Sequence, residues 1–265
     1  MKAFIVDSFT DEVFKGNPAG VCLLDAPISE ELMLKIAQEL GLSETAFVSP
    51  IKNSEARSIR YFSPKMEIPL CGHATLASAK VIFEITDSTN IEFINIQNLT
   101  LPIELINSQI LMRFPVYETT PSNAPVGLLA ALGLKEIVNS VYNKETKILL
   151  LEIESSEILS DLSPDYESLC KSHTSINGVL VTAKSDGEFD FHSRYFWPWS
   201  GTNEDPVTGG THTFLAKYWS ERLGKTKMQS FQSSSRSGFM GVELNDGELL
   251  ITGSAVVVFK GELSV

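Results

Sequence analysis

The segment Arg60-Tyr61-Phe62-Ser63-Pro64 returns 134 residues later as Arg194-Tyr195-Phe196-Trp197-Pro198. At the same offset Ser29 matches Ser163, each opening a helix-like stretch. The apolar run Ala46-Phe47-Val48 matches Leu180-Val181-Thr182. Further on, Cys71-Gly72-His73-Ala74 matches Thr208-Gly209-Gly210-Thr211 at an offset of 137, so the second copy carries three extra residues in the intervening loop. Both turns lead into apolar helical runs, Leu76 to Phe83 and Phe214 to Trp219, in which Lys80 matches Lys217. A conserved order of helix cap, strand, RYFxP and glycine turn points to an internal duplication. The chain should therefore fold as two similar lobes, 1–116 and 117–254. Residues 255–265 are free to return to the first lobe as a closing strand. A chain built this way places a small-ligand site most naturally between its two lobes.

Short alternating runs dominate the rest: Lys2 to Val6, Ile91 to Ile96, Gln109 to Phe114, Ile148 to Ile153, Val179 to Thr182 and Leu249 to Thr252. Asn, Gly, Pro and Ser punctuate them, as in meandering antiparallel strands. Helical patterns are fewer. In Ser29 to Leu40, the residues Leu32, Ile36, Ala37 and Leu40 form one stripe, Ser29 can cap the start and Gly41 can stop the end. The expected class is α+β, with two pseudo-symmetric lobes, each a curved, mostly antiparallel sheet or barrel around a central helix.

Charge narrows the partners. With 21 Lys and Arg against 33 Asp and Glu, the formal net charge is −12. An acidic surface repels phosphate backbones and anionic lipids, so neither nucleic acid nor membrane is an expected partner. Three cysteines, Cys22, Cys71 and Cys170, are too few and odd in number for a disulfide framework. The N-terminus MKAFIVDSFT reads as an opening strand rather than a leader. These features suit a cytoplasmic enzyme of small molecules.

The paired glycine turns are where chemistry is expected. Glycine lets backbone approach a ligand closely, and the first N–H groups of a helix lack internal acceptors and carry partial positive charge. Such turns suit a carboxylate or phosphate. Nearby proton-moving groups are His73 in the first turn, Asp205 just before the second, and Glu44 among Leu42, Ala46, Phe47 and Val48. Burial among those neighbours would raise the Glu44 carboxyl above its ordinary pKa. Glu44 aligns with Gly178, so the second half has no matching carboxylate. His173, His192 and His212 are scattered without zinc-ligand spacing, so no metal is expected, and His212 reads as a packing or capping residue. No phosphate-binding loop is present, so no nucleotide cofactor is expected either. Trp197 and Trp199 read as packing groups in the longer loop, with an aromatic wall over a planar substrate as the alternative.

These residues together resemble the PhzF-like family of phenazine biosynthesis. The resemblance is carried by Asp7, Phe9, Gly16-Asn17-Pro18-Ala19, Ser43-Glu44-Thr45-Ala46-Phe47, Arg60-Tyr61-Phe62, Leu70-Cys71-Gly72-His73-Ala74-Thr75 and Glu204-Asp205-Pro206-Val207-Thr208-Gly209. Gln232, Ser234, Arg236 and Gly253-Ser254-Ala255 extend it over essentially the whole chain. The resemblance implies a diaminopimelate-epimerase-like fold, a homodimer, and a cofactor-free isomerase that moves a hydrogen within a cyclic, unsaturated carboxylic acid. The founding member isomerises dihydro-3-hydroxyanthranilate. Carried over, Glu44 is the proton-shuttling acid/base, and His73 and Asp205 support it. Cys71, Gly72, Gly209, Gly210 and Thr211 fall in the turns that bind substrate. One departure is Gly210, where the family commonly has Ser; Thr211 could supply the hydroxyl instead. A two-thiol epimerase or racemase would need a cysteine in each turn, and Thr208 stands where the second would be. A carboxylate-binding protein without catalysis is the remaining alternative.

Overall fold

The computed structural model describes residues 1–265. The chain forms two compact units, Met1–Arg113 with Leu250–Val265, and Phe114–Leu249. No helix is long and apolar enough to cross a membrane.

The first unit runs β1 (Lys2–Ser8), β2 (Asn17–Leu23), α1 (Glu30–Leu40), β3 (Glu44–Pro50), β4 (Arg57–Phe62), β5 (Glu67–Ile68), α2 (Gly72–Ile85), β6 (Asn90–Ile94), β7 (Thr100–Ile106) and β8 (Gln109–Pro115). The second runs β9 (Thr120–Pro121), α3 (Val126–Leu132), β10 (Asn139–Asn143), β11 (Ile148–Glu152), α4 (Ser156–Asp161), α5 (Tyr166–Ser172), β12 (Gly178–Lys184), β13 (Phe191–Trp197), β14 (Thr202–Asp205), α6 (His212–Leu223), β15 (Lys227–Gln232) and β16 (Gly238–Asn245), and β17 (Glu248–Gly253) begins in the second unit and ends in the first. The final strand β18 (Ala255–Glu262) returns to pair antiparallel with β1, Lys2 opposite Glu262 and Ser8 opposite Ala255.

Both units use the same pairings in the same register. β1 is antiparallel to β2, and β10 to β11. β2 and β3 are parallel with Gly20 opposite Thr45, and β11 and β12 are parallel with Leu149 opposite Val179. β3 and β4 are antiparallel with Ala46 opposite Tyr61, and β12 and β13 with Leu180 opposite Tyr195. A second parallel pair sets Arg57 of β4 opposite Phe93 of β6, and Phe191 of β13 opposite Ser230 of β15. Each unit thus holds two parallel pairs inside a mostly antiparallel sheet. Strands buried on both faces lose the simple alternation of a half-exposed strand. Accordingly, Thr45 to Val48 are all buried.

In the first unit α1 covers one face of the strands. It packs on Ala3, Cys22, Phe47 and Phe62. Its buried stripe is Met33, Ile36 and Ala37, while Leu32 and Leu40 at the stripe's margins are only partly covered. The Ser29 hydroxyl accepts from Leu32 N–H at 3.3 Å, and Gly41 ends the helix at φ 65°. α2 touches β1, β2, β3 and β18. Every residue from His73 to Ala79 is buried, which explains its apolar circumference. In α6 the residues from His212 to Ala216, with Tyr218 and Trp219, are buried likewise.

Ser163 does not cap a helix. α5 starts later, because the Asp165 carboxylate accepts from Ser168 N–H at 3.1 Å and thereby supplies the cap. Gly16, in the Gly-Asn-Pro-Ala turn, has φ 65°, and a Cβ there would lie 2.2 Å from the Ser8 carbonyl. Only glycine fits that close approach.

Candidate active site

In the first unit the register of β1, β2 and β3 brings the end of one strand to the starts of two others. Ser8, at the end of β1, lies opposite Asn17 at the start of β2, and Ala19 lies opposite Glu44 at the start of β3. The start of α2 meets the same edge. Ser8 Oγ donates to the His73 carbonyl at 2.8 Å and pins the first helical turn there. Cys71 occupies the N-cap position without a side-chain capping bond. By their position in the first turn, the N–H groups of Gly72, His73 and Ala74 have no acceptor within the helix.

The side chains of Glu44, His73 and Cys71 meet at this edge. Glu44 Oε2 lies 3.2 Å from His73 Nε2, with both side chains nearly covered. Cys71 Sγ is 3.4 Å from His73 Nδ1 and 3.8 Å from Nε2. Asn17 Nδ2 is 3.4 Å from the same Nδ1. An ionised carboxylate can only accept, so Nε2 carries the proton that faces Glu44.

The electrostatics correct one expectation. Burial does push the Glu44 carboxyl upward, as its apolar neighbours suggested. The hydrogen bond and charge of His73, with a further hydrogen bond from Ser43, outweigh that push and hold Glu44 below its ordinary value. Burial disfavours the charged imidazolium of His73, yet Cys71 and Glu44 beside the ring raise it well above 6.5. Burial raises the Cys71 thiol, and His73 only partly offsets it. At neutral pH Glu44 is therefore the carboxylate of the cluster, with the His73 Nε2 proton directed at it.

The second unit builds its counterpart from different residues. Asp205 ends β14, and its Oδ2 accepts the Thr208 hydroxyl in a short hydrogen bond. Gln232, at the end of β15, clamps this turn. Its carbonyl accepts from Thr208 N–H at 2.9 Å, and its amide donates to the Asp205 carbonyl at 2.7 Å. Ser234 Oγ donates to the Pro206 carbonyl at 2.6 Å. Gly209 is buried, whereas Gly210 is exposed with open space where a Cβ would stand. Thr211 is buried, and its hydroxyl is committed to the Thr208 carbonyl at 2.9 Å.

Substitution at matched positions distinguishes the units. Glu44 is equivalent to Gly178, Cys71 to Thr208, His73 to Gly210, and Ile68 to Asp205. The strand registers support the last match, since Tyr61 pairs with Ile68 and Tyr195 with Asp205. Gly178 is required, because a Cβ there would lie 2.5 Å from the Tyr195 ring.

Three features were not legible from spacing. Glu44, Cys71 and His73 bring a carboxylate oxygen, a sulfur and an imidazole nitrogen within 4.8 Å of one another. Gln232 proves to be the clamp on the Asp205 turn. His212 is fully buried, with Nδ1 3.0 Å from the Thr208 carbonyl and Nε2 2.7 Å from Ser230 Oγ. The carbonyl must accept, so Nδ1 carries the proton and Nε2 accepts from Ser230. Trp199 donates to the His173 carbonyl at 2.8 Å, and Trp197 stacks on Tyr195.

A family model described as "Phenazine biosynthesis-like protein" (PhzC-PhzF) matches residues 6–261. The chain is 40% identical to phenazine biosynthesis-like domain-containing protein 2 of Mus musculus, over 98% of each chain. It is 39% identical to a protein of Pseudomonas aeruginosa named an uncharacterized isomerase, over 98% of this chain and 97% of the other. Among solved structures, a PhzC/PhzF protein from Clostridium difficile superposes with a TM-score of 0.91 at 39% identity, covering 100% of both chains. The fold extends to a probable proline racemase of Agrobacterium radiobacter, with a TM-score of 0.62 at 9% identity and coverage of 100% of this chain and 93% of the other. With a family match over nearly its whole length, this chain belongs to the PhzC-PhzF family of phenazine biosynthesis-like proteins.

Proposed function

We propose that the protein is a cofactor-independent isomerase that moves a proton within a small cyclic or unsaturated carboxylic acid, with Glu44 as the acid/base. The observation that carries this reading is the nearly covered Glu44 carboxylate 3.2 Å from His73 Nε2, at a position where the duplicated unit has glycine. Glu44, ionised at neutral pH, accepts a proton from a carbon made acidic by conjugation, then returns it to another carbon of the same system. His73, held protonated, hydrogen-bonds the carboxylate and stabilises negative charge that grows on the substrate. In the second unit Asp205, oriented by the Thr208 hydroxyl and the Gln232 clamp, is the group we propose as the supporting polar residue. The N–H groups of the Cys71-Gly72-His73 turn suit a carboxylate, as do, taken by themselves, those of the Gly209-Gly210-Thr211 turn. The isomerase name of the Pseudomonas relative agrees with this class of reaction. A homodimer in the cytoplasm, without nucleic acid or membrane as partners, is the setting we propose.

The test is solvent-deuterium incorporation, followed by proton NMR, into a panel of small planar unsaturated acids that includes dihydro-3-hydroxyanthranilate. Glu44→Gln is expected to slow exchange by about 10²–10⁴-fold, the usual worth of a positioned acid/base. A variant with undiminished exchange would refute the role. The Cys71–His73 contact favours a second reading, epimerisation through Cys71. Against it stand the burial-raised thiol and Thr208 in the matching turn. Cys71→Ala separates the two readings, because it leaves the carboxylate route open and abolishes a thiol route.

A further inference from the structure

We propose that Glu44, Cys71 and His73 form a capture site for a thiophilic divalent cation, Zn²⁺ above all, and that metal binding switches the enzyme off. The three donor atoms lie within 4.8 Å of one another. A four-coordinate Zn²⁺ holds thiolate at about 2.3 Å, imidazole at about 2.0 Å and carboxylate at about 2.0–2.2 Å. At tetrahedral angles these bond lengths separate the donors by about 3.3–3.6 Å. The observed separations are 3.2 Å for Glu44 Oε2 to His73 Nε2 and 3.8 Å for Cys71 Sγ to His73 Nε2. Small side-chain shifts therefore close the site around one ion, leaving a fourth position for water or a substrate carboxylate.

The donor set selects the metal. Sulfur and imidazole favour Zn²⁺ and its neighbours over Mg²⁺ or Ca²⁺, which prefer oxygen alone. Two anionic donors and one neutral donor balance a 2+ charge. The ion takes the place of the Cys71 thiol proton and of the proton on His73 Nε2, and both protons leave to solvent. Ser43, bonded to Glu44, provides outer support for that ligand. The binding claim stands on this geometry. The inhibitory claim rests on the proposed acid/base role, because a carboxylate bound to metal cannot also take up a carbon's proton.

The experiment titrates chelator-treated full-length protein with Co²⁺, which reports a cysteine ligand through a thiolate charge-transfer band. One equivalent of Co²⁺ is expected to develop the band, Zn²⁺ to erase it by displacement, and Mg²⁺ to do neither. Cys71→Ser removes the band, whereas Cys170→Ser keeps it. Glu44→Gln, which removes a direct ligand, weakens Zn²⁺ binding by more than the roughly 10–100-fold lost with an outer-shell partner, with circular dichroism verifying that each variant is folded. No band with the wild-type protein, or a band that survives Cys71→Ser, overturns the site and leaves the Glu44 role untouched. Stoichiometric binding with undiminished hydrogen exchange in the Zn²⁺-loaded protein overturns the inhibition and the Glu44 role together, while the metal site stands.

Discussion

The arginine of the repeated RYFxP motif does the same job twice, but with unequal support, and this yields a quantitative prediction. Arg60 stacks over Phe62 and pairs with Glu67; Arg194 stacks over Phe196 and pairs with Glu204. Arg194 makes a two-pronged bond to Glu204 at 2.7 and 2.9 Å, and its remaining nitrogen donates to the carbonyls of Leu159 at 3.1 Å and Leu162 at 2.7 Å. Its side chain is 9% exposed, against 23% for Arg60. The additional partner of Arg60, Glu30, is 67% exposed and contributes little. Arg194→Ala strands a covered carboxylate and two carbonyls, which costs about 3–5 kcal/mol. Arg60→Ala leaves the equally covered Glu67 without its partner but strands no backbone carbonyl, and the more exposed arginine site lets water in, so it costs about 1–2 kcal/mol. All three tryptophans, Trp197, Trp199 and Trp219, lie in the second unit. Urea unfolding followed by tryptophan fluorescence therefore reads that unit, while far-ultraviolet circular dichroism reads both. The fluorescence transition should move to lower urea in Arg194→Ala and hardly at all in Arg60→Ala. Equal losses for the two variants, or a loss below about 1 kcal/mol for Arg194→Ala, would show that the Leu159 and Leu162 carbonyls and the deeper burial of Arg194 add nothing.

Gly178→Ala should destabilise the protein by about 1–3 kcal/mol through its clash with the Tyr195 ring, whereas Gly210→Ser, with open space at its Cβ, should stay within about 0.5 kcal/mol; thermal melts of both variants decide. Burial lowers His212 from 6.5 to about 4. Between those values the unfolded chain binds more protons, so stability should fall by roughly 3 kcal/mol as pH drops from 6.5 to 4. His212→Asn should flatten that slope in urea titrations. The raised His73 acts oppositely, contributing stability below 6.5 that is lost as pH rises through its folded value. Alkylation near neutral pH, read by mass spectrometry, should label partly exposed Cys170 first. Cys22, pushed up to about 12 by burial, and Cys71 should react only on unfolding.

Much of the architecture was legible because duplication leaves two copies to compare. The offsets of 134 and 137 reappear in the strand registers, and Ser29, Gly41 and the buried central helices follow from local chemistry. The two parallel pairs in each unit were not legible, since a strand buried on both faces and a helix segment share the same apolar run. Ser163 looked like a cap by alignment, but the helix start depends on which side chain reaches a free N–H, and Asp165 does so.

The candidate site divides in the same way. Sequence alone determined which residue types stand at the glycine turns and which matched positions differ, because identity and order are properties of the chain. Tertiary structure alone decided the charge of Glu44. Its apolar neighbours in sequence press the carboxyl upward, but His73, remote in sequence and 3.2 Å away in space, reverses the sign. It also assigned His212 and Gln232 to hold the Thr208 turn, and it gathered sulfur, nitrogen and oxygen donors around one point. Burial can be read from neighbours along the chain, whereas a Coulomb partner depends on distance, which only the folded register supplies.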